Sequence, residues 1–309
     1  MTEATSEPML RDIAASNFEK VKNTILSNLK LGNDGIYGYE FTNVDQADEL
    51  KLRTSVAARD KGNYLEAISR HHSIPVMDRE VDRFLNGIAK NGLVVDVGGC
   101  WGWHWRRLNV SRPDVTVFIV DFVRQNLVHA SNILGEKIGR NVFLVHGDAT
   151  QLKVPGETFD GYWSVQTLQH IPEFSKAIGE AYRVLKPGGV FANYSLNNQL
   201  LVRFIYKVFG KQYHIEGNIP GAFYLARASN VQYDQIRELF SNDVYVRYTE
   251  VLFSPELGFI NCGKNSVLGT LDRHLSSNSR LLSWIARQKS YHTVKPMQGR
   301  SGVLAGRQL

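Results

Sequence analysis

The sequence predicts an α/β fold: a doubly wound, mostly parallel seven-stranded sheet with a helical N-terminal cap and a C-terminal insertion. Three observations predict it. From residue 92 onward, short β-branched runs alternate with stretches of helical periodicity, as in parallel sheets with crossover helices. One run, LVVDVGG, ends in glycines, as strands do where a ligand approaches the backbone. Finally, Lys186-Pro187-Gly188-Gly189 stops a helical run and turns the chain into the next strand.

The elements follow in order. Leu10, Ile13, Val21, Ile25 and Leu29 fall near helical spacing, and a second helical run covers Asp45 to Ile68 after the loop GNDGIYGYEF. Residues 1–90 therefore read as a helical cap on a domain spanning 91–309. Five strands come next: LVVDVGG, VTVFIVD, VFLVHGD, FDGYWSV and GVFANYSL. Between the last two, Phe174, Ala177, Ile178, Ala181, Val184 and Leu185 recur at helical intervals. After Leu196 a helix carries Leu200, Leu201, Phe204, Ile205, Val208 and Phe209 opposite Arg203, Lys207 and Lys211. It reads as a core-covering helix, the alternative being membrane-surface contact near 200–211 or a substrate lid. A helix over Tyr233 to Phe240 precedes the sixth strand, VYVRYTEVLF, and the tail SGVLAGRQL is read as the seventh. Substrate-side additions then fall at about 197–232 and 254–300.

Composition narrows the function classes. The 309 residues are 43% hydrophobic, enough for a substantial core, and a net charge of +6 favours anionic surroundings. Cys100 and Cys262 are too few for a disulfide framework or a zinc cluster, so a reducing compartment and metal-independent chemistry are expected. The first residues, MTEATSEPMLRD, lack the basic-then-apolar order of a signal peptide, and no apolar stretch reaches membrane-spanning length. A cytoplasmic location is expected.

In the stretch VVDVGGCWGWHW, a dinucleotide fingerprint G-x-G-x-x-G started at Gly98 would put its later glycines on Cys100 and Trp103. A pyrophosphate would meet side chains there, which argues against NAD. The spacing instead resembles motif I of the class I S-adenosylmethionine-dependent methyltransferases, D-x-G-x-G-x-G, with Asp96, Gly98 and Gly102 in register and Cys100 as the departure. Later segments extend the resemblance: Asp121 ends the second strand, HGDATQL follows the third, and FDGYWSVQTLQHIP and AYRVLKPGGVFANYS are similar to the family's closing segments. It covers Val94 to Ser195, and is closest to small-molecule and glycan methyltransferases.

The resemblance implies S-adenosylmethionine as cofactor. It assigns cofactor contacts to Asp96, Gly98, Trp101 and Gly102 in the loop, Asp121 on the ribose, Phe122 on the adenine face, Asp148 and Ala149 at the adenine edge, and Gln166 near the methionine part. His170 is the preferred base for an oxygen acceptor, since imidazole accepts a proton near neutral pH. His104, His214 and the pair His71-His72 are the other candidates. Tyr37 and Tyr39 sit in a loop suited to closing over a ligand, and Arg70, Arg79, Arg106 and Arg107 are cations available to a phosphate or carboxylate. The expected acceptor is a small molecule or glycan. Nucleic acid is disfavoured, because SVQT stands where base-amino methyltransferases carry N/D-P-P-Y/F/W and basic residues are not gathered with aromatics. The alternatives are an RNA-directed methyltransferase and a non-catalytic S-adenosylmethionine-binding partner protein. GFINCGKN resembles a phosphate loop, but Asn265 replaces its magnesium-binding hydroxyl.

Overall fold

A computed structural model describes residues 22–41, 64–210, 230–240, 244–254 and 266–297, with residues 19, 47, 50, 51, 54 and 55 as isolated positions. The strands are β1 (Lys30–Leu31), β2 (Tyr37–Gly38), β3 (Leu93–Val97), β4 (Thr116–Asp121), β5 (Val142–His146), β6 (Phe159–Val165), β7 (Leu185–Leu196), β8 (Tyr245–Thr249) and β9 (Gln288–Val294). They form one sheet in the order β1-β2-β5-β4-β3-β6-β7-β9-β8. Strands β2 to β7 pair in parallel, whereas β9 runs antiparallel to both β7 and β8, and β1 antiparallel to β2.

The longer helices are α1 (Tyr64–Ser69), α2 (Ile74–Asn86), α3 (Arg124–Leu134), α4 (Phe174–Val184), α5 (Leu200–Val208), α6 (Asn230–Phe240) and α7 (Val267–Leu275). Every residue of β3 and β4 is buried, as near-continuous apolar runs are when helices cover both faces of a parallel sheet. Val95, Phe118, Phe143 and Phe191 meet Ala177, Ala181 and Ile236 on one face. Val94, Val117, Ile119 and Trp163 meet Met77, Phe84, Leu127 and Ala130 on the other. The four residues Lys186–Gly189 bulge from β7, because Phe159 pairs with Leu185 and Gly161 already with Val190.

Four expectations are corrected. Residues 1–90 are not purely a helical cap: Tyr37 and Gly38 pair with Val145 and His146, extending the sheet past β5, and Lys30–Leu31 pairs in turn with them. The glycine-spaced loop is thus partly sheet, its turn closed by Gly32 N–H on the Ile36 carbonyl at 2.9 Å. Leu10, Ile13, Val21 and most of 45–63 lie outside the described residues. The strand beside β7 is Gln288–Val294, within the stretch read as an insertion; the tail SGVLAGRQL lies outside the described residues. With β1 and β2 the described strands number nine rather than seven. Finally, α5 does not cover the core, since Val202 is its one buried residue. No described helix is long and apolar enough to cross a membrane.

Candidate active site

Sheet order reverses at β3, whose neighbours are β4 and β6, which makes the carboxyl ends of these strands the switch point where open α/β sheets carry their ligand crevice. The chain leaves β3 through left-handed Gly98 (φ 71°), Cys100 (φ 50°) and Gly102 (φ 65°), then enters a single helical turn, Trp103–Trp105. A side chain at Gly98 would run into Thr167, whose hydroxyl donates to the Gly98 carbonyl at 3.2 Å. At Gly102 a β-carbon would lie 2.8 Å from Ile119 Cδ1 and Leu134 Cδ1. Glycine at these two positions lets the loop fold down between β4 and the segment after β6.

Two carboxylates set the loop. Asp121 accepts the Cys100 N–H at 3.0 Å on one oxygen and the Val123 N–H at 2.8 Å on the other, so it spans from the loop to the start of α3. Asp96, 1% exposed, accepts the Trp105 indole N–H at 2.7 Å. Burial pushes its carboxyl up to about 7, the Trp105 hydrogen bond opposing and the Asp121 charge adding. Asp96 therefore supports the loop from beneath. Trp103 and Trp105 are core residues, while Trp101 is only half-buried and its ring lies 5.5 Å from that of His129.

At the end of β5, Asp148 accepts from the Thr150 N–H at 2.8 Å and hydroxyl at 3.0 Å, closing a tight turn beside Ala149. Tyr39 is not a loop lid: its hydroxyl accepts the Asp148 N–H at 2.9 Å and donates to the Asp148 carbonyl at 3.1 Å. Phe122 keeps a partly exposed ring while its carbonyl lies 3.2 Å from His146 Nε2. At the end of β6, Gln166 is left-handed (φ 50°), a conformation costing a non-glycine residue about 1–2 kcal/mol. Its N–H donates to the Tyr194 carbonyl at 2.7 Å, yet its side-chain Nε2 and the Trp101 indole N–H are buried without a partner among the described residues. Orphaned buried donors at a strained strand end are what a ligand site leaves behind.

His170 closes the turn after Gln166, half-exposed, with Nε2 3.4 Å from Gln169 Nε2; Gln169 is itself fixed by accepting the Leu196 N–H at 2.8 Å. His104 is a poorer base. Burial, with His72 and Arg106 adding, holds its imidazole well below the usual histidine range, and both ring nitrogens lack partners among the described residues. His72 lies 6.4 Å from it, ring to ring, and 3.6 Å from Glu250. Arg70, Arg79, Arg106 and Arg107 are engaged within the chain: Arg106 holds Asp78 at 2.7 Å, Arg107 lies near the same carboxylate, Arg70 near Glu66, and Arg79 donates to the Arg273 carbonyl. His214 and GFINCGKN lie outside the described residues, among which no three His, Cys, Asp or Glu side chains gather as a metal site.

Nothing in the residue pattern announces the polar groups beyond β7. Glu250, fully buried and left-handed (φ 54°), accepts the Ser73 N–H at 2.7 Å and the Arg287 guanidinium at 3.0 Å. Glu80 holds Arg247 at 2.9 Å and accepts the Tyr194 hydroxyl at 3.0 Å. The partners come from distant segments, so local spacing could not reveal them.

Residues 95–193 match the family model described as a methyltransferase domain. That match falls on the strands and loops just described. Residues 95–193 thus form a methyltransferase domain. The chain is similar to a sterol 24-C-methyltransferase of Eremothecium gossypii, 46% identical over 110 residues, covering 35% of this chain and 29% of that one. It is also similar to a ubiquinone/menaquinone biosynthesis C-methyltransferase of Bartonella bacilliformis, 32% identical over 169 residues, 52% of this chain and 64% of that one. The chain thus matches less than two thirds of the length of these relatives. In fold it is similar to a possible histamine N-methyltransferase of Thermotoga maritima, with a TM-score of 0.51 at 17% identity over 75% of this chain and 94% of that one.

Proposed function

We propose that this protein transfers a methyl group from S-adenosylmethionine to an oxygen of a small molecule or sugar. The observation that carries the reading is the switch point at β3, where the left-handed loop from Gly98 to Gly102 lies between the Asp121 carboxylate and the strained, orphaned amide of Gln166.

The residues present suit the donor. Asp121 accepts from ribose hydroxyls, since a carboxylate offers about four acceptor sites and is well placed at a strand end. Phe122 offers the adenine a ring face, and Asp148 with the Ala149 N–H offers it polar partners. Gln166 and Trp101 bring unsatisfied donors to the methionyl part, and the Trp101 ring gives a cation an aromatic surface. When bound, the donor supplies a methyl group on a sulfonium, already activated for displacement. The chain's own task is to align the acceptor and exclude water, and alignment of this kind is worth roughly 7–11 kcal/mol. His170 takes the hydroxyl proton on a ring nitrogen. A carbon acceptor is the second reading, favoured by the C-methyltransferase names of the two relatives.

Calorimetry with S-adenosylhomocysteine tests the donor site, and micromolar binding is expected. A folded protein that ignores both this ligand and S-adenosylmethionine at millimolar concentration overturns the reading. Labelled methyl transferred to candidate acceptors then separates the two atoms, because hydriodic acid releases methyl iodide from an ether and leaves a carbon–methyl bond intact. Salt-sensitive retention on RNA would redirect the acceptor to nucleic acid.

A further inference from the structure

Helix α5 leaves the end of β7 beside the crevice, and it is built the wrong way round for a covering helix. Val202 faces the protein, whereas Leu200, Leu201, Phe204 and Val208 span an arc of about 100° on the other side. Phe204 and Val208 are each 64% exposed, and the cations Arg203 and Lys207 border the arc. A second apolar piece adjoins it: in the turn Arg280–Trp284, Leu281 is 82% and Trp284 60% exposed.

Side chains lock the two pieces into one surface. Asn197 donates to the Ser283 and Ala286 carbonyls at 2.7 and 2.8 Å, and Gln199 to the Ile285 carbonyl at 2.9 Å. The charge is one-sided. Across residues 197–210 and 266–297 the single acid is Asp272, which is buried, while Arg203, Lys207, Arg273 and Arg280 are exposed. An apolar stripe with an aromatic pair and a border of cations alone matches an anionic lipid surface, which takes the apolar groups below its headgroups and pairs the cations with phosphate.

We propose that α5 and the Arg280–Trp284 turn form a membrane-docking face that seats the mouth of the crevice on anionic phospholipid. The inference goes beyond the methyl-transfer reading and does not depend on it.

Flotation of the full chain with vesicles tests it. Phosphatidylcholine vesicles rich in phosphatidylglycerol should carry at least about tenfold more protein than phosphatidylcholine alone, and raised salt should reduce the difference. Phe204→Asp and, separately, Trp284→Asp should abolish flotation; both sites face solvent, so folding is expected to survive, as circular dichroism would verify. Arg203→Glu with Lys207→Glu should erase the preference for anionic lipid. The proposal is overturned if the wild-type chain floats with neither vesicle, if both aspartate variants float as it does, or if light scattering shows a dimer that Phe204→Asp splits. Calorimetry with S-adenosylhomocysteine on the same samples keeps the two readings apart: a chain that floats without binding this ligand loses only the donor site, and one that binds it without floating loses only the docking face.

Discussion

The two halves of the sheet are held by different physics. On the β3–β4–β5 side, backbone N–H groups of loops and turns satisfy the carboxylates: Cys100 and Val123 on Asp121, Thr150 on Asp148. On the β7–β9–β8 side, the carboxylates are buried against guanidinium groups from distant segments, Glu80 with Arg247 and Glu250 with Arg287. In the first half the acids lie where strands end, beside the glycines at 98 and 102, which suits the donor site proposed above. The second half is a polar core that ties α2 to the antiparallel edge of the sheet. Substitutions should therefore cost binding in the first half and stability in the second.

The largest expected effect is at Glu80. Glu80→Ala leaves the Arg247 guanidinium buried without its carboxylate, a change that typically costs about 3–5 kcal/mol. Urea denaturation should show the unfolding free energy fall by that amount, while S-adenosylhomocysteine affinity of the folded fraction changes little. Affinity falling in parallel with stability would mean the halves are coupled. Asp121→Ala is the converse and the next in size. Donor affinity should fall by about 1–3 kcal/mol, the scale of charge-assisted hydrogen bonds, measured by calorimetry. An unfolded Asp121→Ala protein would show that this acid supports the fold as Glu80 does.

Much of the first half could be read from the sequence. VTVFIVD and LVVDV are near-continuous apolar runs because parallel strands buried on both faces require it, and Asp121, Asp148 and Gln166 stand at or next to strand ends that such runs announce. The second half was illegible for the opposite reason. Strand β9 buries Gln288, Ser290 and His292 against polar partners, so no hydrophobic alternation marks it. Strand β2 is two residues long, too short for any period, and exists because β5 offers it an edge. The amphipathic pattern of α5 was legible but its direction was not: periodicity says that a helix has an apolar face, and tertiary structure decides whether that face is inward.

Titration gives each half a marker of intermediate size. The Asp96 carboxyl is raised from 3.8 to about 7 by burial, and that of Asp272, whose oxygen accepts the Val251 N–H at 2.8 Å, from 3.8 to about 6. A raised carboxyl means that the folded state holds its proton more tightly than the unfolded chain. Stability from these groups is complete below about pH 4 and declines as pH rises, until about 7 for Asp96 and about 6 for Asp272. Asp96→Asn keeps an acceptor for Trp105 and should remove part of that slope, a recovery on the order of 1–2 kcal/mol above pH 7. Asp272→Asn should act likewise over the narrower window. Denaturation series from pH 4 to 8 would read both, and a slope unchanged in Asp96→Asn would mean that Asp96 ionises normally beneath the loop.

The smallest expected effect sits at the position where this loop departs from the family pattern. Cys100 holds φ 50°, a left-handed conformation that disfavours a β-carbon by about 1–2 kcal/mol. Glycine removes that strain but adds freedom to the unfolded chain, which returns about 0.4–1 kcal/mol. Cys100→Gly should thus stabilise the protein by roughly half a kcal/mol and leave donor affinity within about threefold, because the contact that matters to Asp121 is the residue's backbone N–H and glycine keeps it. If affinity instead falls tenfold or more by calorimetry, the thiol itself meets the ligand. The first half would then depend on a side chain at the position where main chain alone was expected to serve.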